Sequence, residues 1–235
     1  TFTYTPNDGF VGKDHFNYRL SDTLADGAVQ KTVVSVGGEW RYYDKATAPN
    51  RNWAKSTFDD SDWSVGPGLL GYGNGNEATE ISFGTNPDRK NVTAYFRQTF
   101  ELMDTALIEK VTFKLMRDDA AAIYLNGEEI YRDKNLSRTA RHTTTATSSI
   151  VNESAFATFE VNGAQFSEGL NVIATEVHQS SRTSSDLSFA LFGQAHLIPG
   201  NQVTVTVEKG LKPDIVSNFN VTENEFEVFF GSKRQ

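Results

Sequence analysis

Residues 117–132 read Arg-Asp-Asp-Ala-Ala-Ala-Ile-Tyr-Leu-Asn-Gly-Glu-Glu-Ile-Tyr-Arg, and this stretch decides the fold class of the chain. It predicts a buried strand over 120–125, a turn at Asn126-Gly127 and a returning strand over 128–132. Asn-Gly accepts the positive φ angles of a type I′ turn, which makes it the strongest short hairpin signal in a sequence. The stretch therefore predicts antiparallel sheet at the centre of the chain.

The composition is that of a folded chain with an acidic surface. Of the 235 residues, 38 % are hydrophobic and 12 % are aromatic, which is enough for a sizeable core. The formal net charge of −8 repels phosphate backbones, so we expect no nucleic-acid partner. The longest apolar stretch, around 120–125, is far shorter than the roughly 20 residues of a membrane helix, so we expect no membrane insertion. The absence of cysteine excludes thiol chemistry and favours a secreted or cell-surface protein.

Clusters of turn-forming residues divide the chain into three regions. Residues 1–36 alternate between apolar and polar positions and end in a β-branched strand over 31–36, and Gly37-Gly38 follows as a hinge. Residues 39–198 form the main body, whose spacing of Gly, Asn, Asp and Ser clusters predicts an all-β antiparallel sandwich or jelly roll. Residues 199–235 form a C-terminal tail.

Strands are predicted within these regions from period-two alternation. The candidate strands of the main body are 40–43, 94–102, 110–116, 120–125, 128–132, 155–161, 171–178 and 186–194. Residues 134–150 are rich in Thr and Ser and predict an exposed loop, and 102–110 fits one short helical turn. The tail alternates at 203–207 and at 226–230, which predicts two strands that need a sheet to join, because a lone hairpin is at best marginally stable.

A repeat-like series of motifs occupies residues 1–36. It consists of Thr1-Phe2-Thr3-Tyr4-Thr5-Pro6-Asn7, Gly9-Phe10-Val11-Gly12, Asp14, Phe16, Tyr18, Ser21-Asp22 and a Val-rich last strand. The series resembles the C-terminal half of the cadherin-like, Ig-type tandem repeats of giant bacterial surface proteins. The first half of the repeat is missing, and the chain opens inside an alternating strand, so we expect a fragment of a longer polypeptide.

A second series of motifs runs through residues 39–194, about two thirds of the chain. Its segments are Trp40-Arg41-Tyr42, Trp53, Phe58-Asp59-Asp60-Ser61-Asp62-Trp63, Leu70-Gly71-Tyr72-Gly73, Tyr95-Phe96-Arg97, Asp118-Asp119, Tyr124-Leu125-Asn126-Gly127, Gly169-Leu170-Asn171-Val172-Ile173-Ala174, Val177-His178-Gln179 and Ser185-Asp186-Leu187-Ser188-Phe189. The series resembles the galactose-binding-like, carbohydrate-binding-module-type jelly rolls of large secreted bacterial proteins. The resemblance implies a non-catalytic domain. Such domains usually show Asp-Asp-Gly, whereas here Ala120 follows Asp119.

Two sets of carboxylates are candidate ligands of a structural Ca²⁺, and we expect no other cofactor. Asp118 and Asp119 adjoin at a strand start, and Ca²⁺ takes six to eight oxygen ligands. The resemblance supports this set, since related jelly rolls often carry a structural calcium. The alternative is a surface turn whose charges are offset by Arg117 and Arg132. The second set lies in the repeat-like region, whose family often binds calcium at module junctions, and comprises Asp8, Asp14, Asp22 and Asp26.

Candidate ligand-binding residues are chosen for expected exposure, three of them in a predicted loop, because loops carry binding more often than regular elements do. They are Tyr72, Asn74, Asn76 and Tyr131. Trp40, Trp53 and Trp63 offer an alternative stacking platform, because an aromatic face packs against the C–H face of a sugar ring while polar groups fix its hydroxyls. All three tryptophans lie in the segments that define the family, which favours core packing for them.

The remaining motifs favour structural roles. The Gly-rich run 66–71 spells a dinucleotide fingerprint, but no helix pattern follows it, so we expect a loop. The acidic run 59–62 lacks the glycine of a calcium-binding EF-hand and favours Asx-turn capping. His178 shares a strand face with Glu176, has no evident set of further metal ligands and favours a structural histidine. No nucleophile, metalloprotease or phosphate-loop pattern occurs, so we expect no catalysis by this chain.

Three functions remain as hypotheses. The first is a non-catalytic extracellular module that binds carbohydrate or spaces and displays other domains. The second is a subunit of a self-assembling fibre or adhesin, in which the half-repeat and the tail exchange strands within a chain or between neighbouring subunits, giving a homopolymer. The third is an accessory domain of a secreted hydrolase.

Overall fold

Two compact units make up the chain in the computed structural model. One unit is Gln30–Ile198, and the other combines Thr1–Val29 with Pro199–Gln235. The structure describes residues 30–103, 105–152 and 155–197 with their side chains, and the strand segments 12–17, 29, 220–222 and 225–230 by their backbone alone. In these residues no helix is both long enough and apolar enough to cross a membrane.

Almost all regular structure in the described residues is β-strand. The strands are β1 (Gly12–Asn17), β2 (Val29–Val34), β3 (Glu39–Tyr43), β4 (Ser64–Pro67), β5 (Leu70–Tyr72), β6 (Thr79–Glu80), β7 (Thr93–Leu102), β8 (Ile108–Arg117), β9 (Ala120–Leu125), β10 (Glu128–Arg132), β11 (Ala157–Asn162), β12 (Gly169–His178), β13 (Leu187–Leu197), β14 (Asn220–Thr222) and β15 (Glu225–Phe230). Two single turns of 3₁₀ helix lie at Thr105–Leu107 and Gly163–Gln165.

The unit Gln30–Ile198 is a β-sandwich, which confirms the predicted all-β class. Sheet I has the strand order β10-β9-β12-β7-β3-β4, and sheet II has the order β11-β8-β13-β5-β6 with β2 paired to β13. The strand pairs of sheet I are antiparallel, whereas β5 and β6 form a parallel pair in sheet II. All eight strands predicted for the main body form, with shifts at their ends.

The hairpin predicted at Asn126-Gly127 connects β9 to β10. Asn126 has φ 52° and Gly127 has φ 96°, the positive values that a type I′ turn needs. The Asn126 side chain ties the turn to β12: its Oδ1 accepts from the backbone N–H of Val172 at 2.8 Å, and its Nδ2 donates to Oδ1 of Asn171 at 2.9 Å. The turn is therefore fixed to the sheet as well as to its own strands.

The main core lies between the two sheets. Phe96 of sheet I stacks on Phe189 of sheet II with ring centroids 4.3 Å apart, and Trp40 meets the same Phe189 ring edge-on at 5.0 Å. All three side chains are fully buried. Aromatic pairs in these geometries contribute about 0.5–1.5 kcal/mol beyond the area that they bury, so this cluster is a major contact between the sheets.

The outer face of sheet I is covered as well, by the loops that follow β3 and β10. Leu136 and Ala146 of the second loop are buried against Ala120 and Ala122 of β9. The loop predicted at 134–150 therefore forms, but its apolar side chains are anchored on the sheet rather than exposed. The cover explains why β12 is buried on both faces, and the space between the two loops contains the site described below.

The structure differs from the sequence-based expectation in two strand assignments. The run 66–71 forms the end of β4 and the start of β5 rather than a single loop. Gly71 brings β5 close to β13, since a Cβ there would overlap the carbonyl oxygen of Leu187. Glycine and proline are depleted in strands, which is why the pattern hid these two. In addition, β2, which the sequence groups with residues 1–36, pairs with β13 of the sandwich.

The other unit contains a sheet built from both ends of the chain. β1 pairs antiparallel with β15 along its full length, from Gly12 opposite Phe230 to Asn17 opposite Glu225. β14 pairs with the other edge of β15. The predicted strand at 226–230 therefore forms, and it takes its partner from the repeat-like region. The strand predicted at 203–207 lies outside the described residues.

Candidate functional site

A cleft of about 390 Å³ opens on the outer face of sheet I, between the two loops that cover it. Its size is within the range of sites for small ligands, which is about 300–1,000 Å³. The lining side chains that carry aromatic or charged groups are Arg51, Trp53, Tyr95, Arg141, His142 and Glu176. Tyr95 and Glu176 project from the paired strands β7 and β12, where they stand opposite each other.

Three aromatic rings form one wall of the cleft. Trp53 meets Tyr95 edge-on with ring centroids 4.8 Å apart, and Tyr95 stacks on His142 at 5.8 Å. Tyr95 is buried, whereas Trp53 and His142 are half-buried and reach the opening. Burial raises the pKa of Tyr95 and lowers the pKa of His142, so both rings are neutral at pH 7.

Arg97 of β7 holds the loop that carries Trp53. Its side chain is buried, and its guanidinium donates to the carbonyl oxygens of Trp53 and Lys55. It also pairs with Oδ2 of Asp60 at 2.7 Å, and Arg41 approaches the other carboxylate oxygen at 3.2 Å. The planar fork of arginine suits this set of acceptors. The position of Trp53 therefore depends on a buried cation beneath its own backbone.

Polar side chains at the neighbouring ends of β7 and β12 hold the loop that carries His142. The hydroxyl of Thr93 donates to the carbonyl oxygen of His142 at 2.6 Å. Nδ1 of His178 lies 2.8 Å from the carbonyl oxygen of Thr144 and 3.0 Å from the Thr93 hydroxyl oxygen. Since both neighbours are oxygen acceptors for Nδ1, that nitrogen carries a proton. Nδ1 of His178 thus has the structural role that the sequence predicts, whereas its buried Nε2 has no hydrogen-bond partner among the described residues.

Glu176 forms the base of the cleft. Its Oε1 accepts from the hydroxyl of Tyr124 at 2.9 Å and lies 3.7 Å from Nη2 of Arg132. Its Oε2 lies 3.3 Å from Nε2 of His178. Glu176 is therefore held at Oε1 by a phenol and a guanidinium on the same face of sheet I.

Arg51 and Arg141 are the exposed cations of the cleft, one from each covering loop. Both are placed in tight turns: the backbone N–H of Trp53 donates to the carbonyl of Asn50 at 2.9 Å, and that of Thr144 donates to the carbonyl of Arg141 at 2.7 Å. Within the described part of the chain, neither guanidinium has a hydrogen-bond or ion-pair partner.

The four residues expected to bind a ligand do not line this cleft. The expected exposure of Tyr72 is wrong: its ring is buried beside Phe83, at a centroid distance of 5.2 Å, because β5 turns it into the core. Tyr131 is half-buried and donates its hydroxyl to Oδ1 of Asp133 at 2.7 Å. Asn74 and Asn76 are exposed, as expected for loop residues.

Of the carboxylates considered for calcium, Asp118 and Asp119 lie in the interior and not on a surface turn. Asp118 and Asp119 are buried, and Asp119 accepts from the backbone N–H groups of Ile150 at 3.1 Å and Ser180 at 2.6 Å. No group of three or more His, Asp or Glu side chains in the described residues is placed to hold a metal ion. Asp14 lies on β1, and its side chain lies outside the described residues, as do Asp8, Asp22 and Asp26 entirely. Calcium binding stays a prediction.

The tryptophans divide between core and cleft. Trp40 and Trp63 are buried, as the packing interpretation predicts, whereas Trp53 is half-buried in the wall of the cleft. Sequence reasoning therefore named one residue of the cleft, as an alternative, and missed the other five. The available signal was Glu176 together with His178, two polar residues on a strand face that is otherwise apolar.

Comparisons with known proteins give distant structural neighbours. No known family matches the chain, and no curated protein matches it. A β-glycosidase from Bacteroides vulgatus aligns with a TM-score of 0.45 at 14 % identity, covering 69 % of this chain and 20 % of its own. The β-glucuronidase 2 of Bacteroides uniformis aligns with a TM-score of 0.46 at 16 % identity, covering 71 % of this chain and 18 % of its own.

A β-glucuronidase from an uncultured Clostridium species aligns with a TM-score of 0.45 at 13 % identity, covering 77 % of this chain and 31 % of its own. The chain thus spans less than a third of each of these enzymes. The fold and the cleft, taken by themselves, define a β-sandwich domain with a ligand-sized site on the outer face of one sheet.

Proposed function

We propose that the sandwich is a non-catalytic carbohydrate-binding module of an extracellular protein, and that the sugar binds in the cleft beside Trp53. The observation that carries the proposal is the combination of an aromatic wall with a polar base and rim in one 390 Å³ cleft. Ligand sites commonly join aromatic surface with a few fixed polar groups. A pyranose offers a C–H face to the Trp53 ring and hydroxyl groups to the polar side chains.

The fixed geometry of both loops supports a binding role. Arg97 holds the loop of Trp53, and Thr93 and His178 hold the loop of His142, in each case through partly buried hydrogen bonds. A site whose loops are already ordered does not have to lose that conformational freedom when the ligand binds, which increases affinity.

The contacts of Glu176 favour binding over catalysis. In most glycoside hydrolases a pair of carboxyl groups flanks the scissile bond, one of them transferring a proton. Glu176 instead accepts a hydrogen bond from Tyr124 at Oε1, and its position at the base of the cleft suits a hydrogen bond to a sugar hydroxyl. The extracellular location is supported by the cysteine-free composition and by the resemblance of residues 1–36 to repeats of surface proteins.

A glycan array followed by calorimetry on the full chain tests the proposal. We expect binding of at least one glycan, and we expect Trp53→Ala to weaken it at least about tenfold, because the stacking ring is lost. Phe156→Ala is the matched control, since Phe156 is an exposed aromatic residue outside the cleft. The proposal fails if no glycan binds, or if the two substitutions weaken binding equally.

A second candidate function is self-assembly into an extracellular fibre or adhesin, and the pairing of β1 with β15 favours it. The two strands come from opposite ends of the chain, and the same pairing between chains would be heterologous, which propagates a filament. Here β1 pairs within its own chain, so assembly requires neighbours to exchange this strand. The third hypothesis, an accessory domain of a secreted hydrolase, stays a prediction that the full-length gene sequence tests.

A further inference from the structure

We infer that the cleft selects an anionic sugar, one that carries a carboxylate or a sulfate group, through the guanidinium groups of Arg51 and Arg141. The inference rests on the proposed function and specifies the class of its ligand. The charged groups of the cleft, rather than its aromatic wall, carry the inference.

The charge of the cleft is opposite to that of the whole chain. The chain has a formal net charge of −8, which repels anions at long range. The cleft nevertheless carries two exposed guanidinium groups, and neither has a partner among the described residues. Two exposed cations, one on each loop that lines this cleft of an acidic protein, mark a local site for a negatively charged group.

The carboxylate of Glu176 does not cancel these cations. It carries one negative charge against two guanidinium groups, and it also lies 3.7 Å from Nη2 of Arg132 on its own sheet. Its Oε1 also accepts the hydroxyl proton of Tyr124. The charges of Arg51 and Arg141 therefore remain available to a ligand.

The chemistry of the two cations fits carboxylate and sulfate oxygens. A guanidinium presents parallel N–H donors that match two oxygens of one acid group, and charge-assisted hydrogen bonds of this kind are about twice as strong as neutral ones. The rest of the wall is neutral, since burial lowers the pKa of His142, so the ring of the sugar meets Trp53 and His142 while its acid group meets an arginine.

The test is a glycan array of matched sets, each with a neutral, a uronate-bearing and a sulfated form of one backbone, followed by calorimetry on the full chain. We expect the anionic member of at least one set to bind at least about tenfold more tightly than its neutral counterpart. The uronate and sulfate forms distinguish the two sources of negative charge. We expect Arg51→Gln and Arg141→Gln each to reduce this preference.

Arg138→Gln is the matched control, because Arg138 is an exposed arginine of the same loop as Arg141 and does not line the cleft. Equal binding of neutral and anionic forms, unchanged by Arg51→Gln and Arg141→Gln but lost in Trp53→Ala, overturns the inference and leaves the proposed function standing. An anionic preference that Arg138→Gln reduces as much as Arg141→Gln also overturns it. If no member of any set binds, both the inference and the proposed function fail.

Discussion

Arg97 is a buried cation that fixes the position of the half-buried Trp53 ring. Its guanidinium lies under the loop of residues 53–60, donates to two of its carbonyl oxygens and pairs with Asp60. The ring of Phe58 covers the guanidinium at 5.2 Å. Because Nε and Nη1 of Arg97 both donate to this loop, removal of the side chain affects both the stability of the fold and the position of Trp53.

Replacement of Arg97 by methionine is predicted to lower the free energy of unfolding by about 3 kcal/mol, because it leaves Asp60 and the loop carbonyls without their buried partner. Urea denaturation measures this loss, and calorimetry is expected to show weaker sugar binding as Trp53 is released. The control is Arg41→Met, since Arg41 pairs with the same carboxylate from a more exposed position. Exposed ion pairs contribute up to about 1 kcal/mol, so similar losses in both variants would contradict this interpretation.

Single residues were predictable where local stereochemistry decides their role. Asn126 and Gly127 adopt the positive φ values that their turn requires, and Asp59 accepts from the backbone N–H of Ser61 at 3.0 Å, as an Asx turn predicts. Tyr72 was not predictable, because its flanking glycines look like a loop while its burial depends on Phe83 from a distant segment. Arg51 and Arg141 were missed for the same reason: they come together only through the fold.

At the scale of elements, the β9–β10 hairpin depends on a glycine in the left-handed region. Gly127 has φ 96°, a backbone angle that residues other than glycine rarely adopt. A Cβ at this position would lie 3.1 Å from Cγ of Lys55, which belongs to a flexible side chain. The cost of a substitution is therefore mainly backbone strain.

Gly127→Ala is predicted to lower the free energy of unfolding by roughly 1–2 kcal/mol, the cost of a left-handed backbone for an alanine. Thermal melting followed by circular dichroism measures it. Gly37→Ala is the control, since a Cβ at Gly37 meets nothing within 4 Å and its φ lies outside the left-handed region. If both variants melt at the same temperature, the strain at Gly127 is absent.

Elements were predictable where period-two alternation extends over many residues. β7, β8, β12 and β13 are long enough for the pattern to identify them. The short strands β4, β5 and β6 were missed, because their pairing partners rather than their own residues make them strands. The cleft was missed because it lies between two loops that are far apart in sequence. Nothing in the sequence indicates that both loops cover the same sheet.

At the scale of the whole molecule, the chain leaves one unit, forms the other and then returns to the first. β1 and β15 belong to the same sheet, although the complete sandwich Gln30–Ile198 lies between them in sequence. The cleft is built from sandwich residues alone. The proposed sugar binding and the proposed strand exchange therefore involve different units and are separable by truncation.

Deletion of residues 201–235 removes β14 and β15 and leaves β1 without its partner strand. We expect the truncated protein to retain sugar binding, measured by calorimetry, because the sandwich keeps all the residues of the cleft. If the protein assembles into fibres by strand exchange, the deletion is expected to abolish assembly in light scattering. Identical scattering and melting of the truncated and parent proteins contradict the assembly hypothesis, and loss of sugar binding contradicts the independence of the two units.

The antiparallel register of β1 and β15 determines how the chain responds to mechanical load. Gly12 lies opposite Phe230, so tension applied through the chain on both sides pulls at the same end of this strand pair. The backbone hydrogen bonds then break one after another, as in a zipper, and residues 30–198 carry no tension until the last bond has opened. The sandwich is therefore a side branch of the path that carries the tension, and it is not stretched for as long as that short sheet holds.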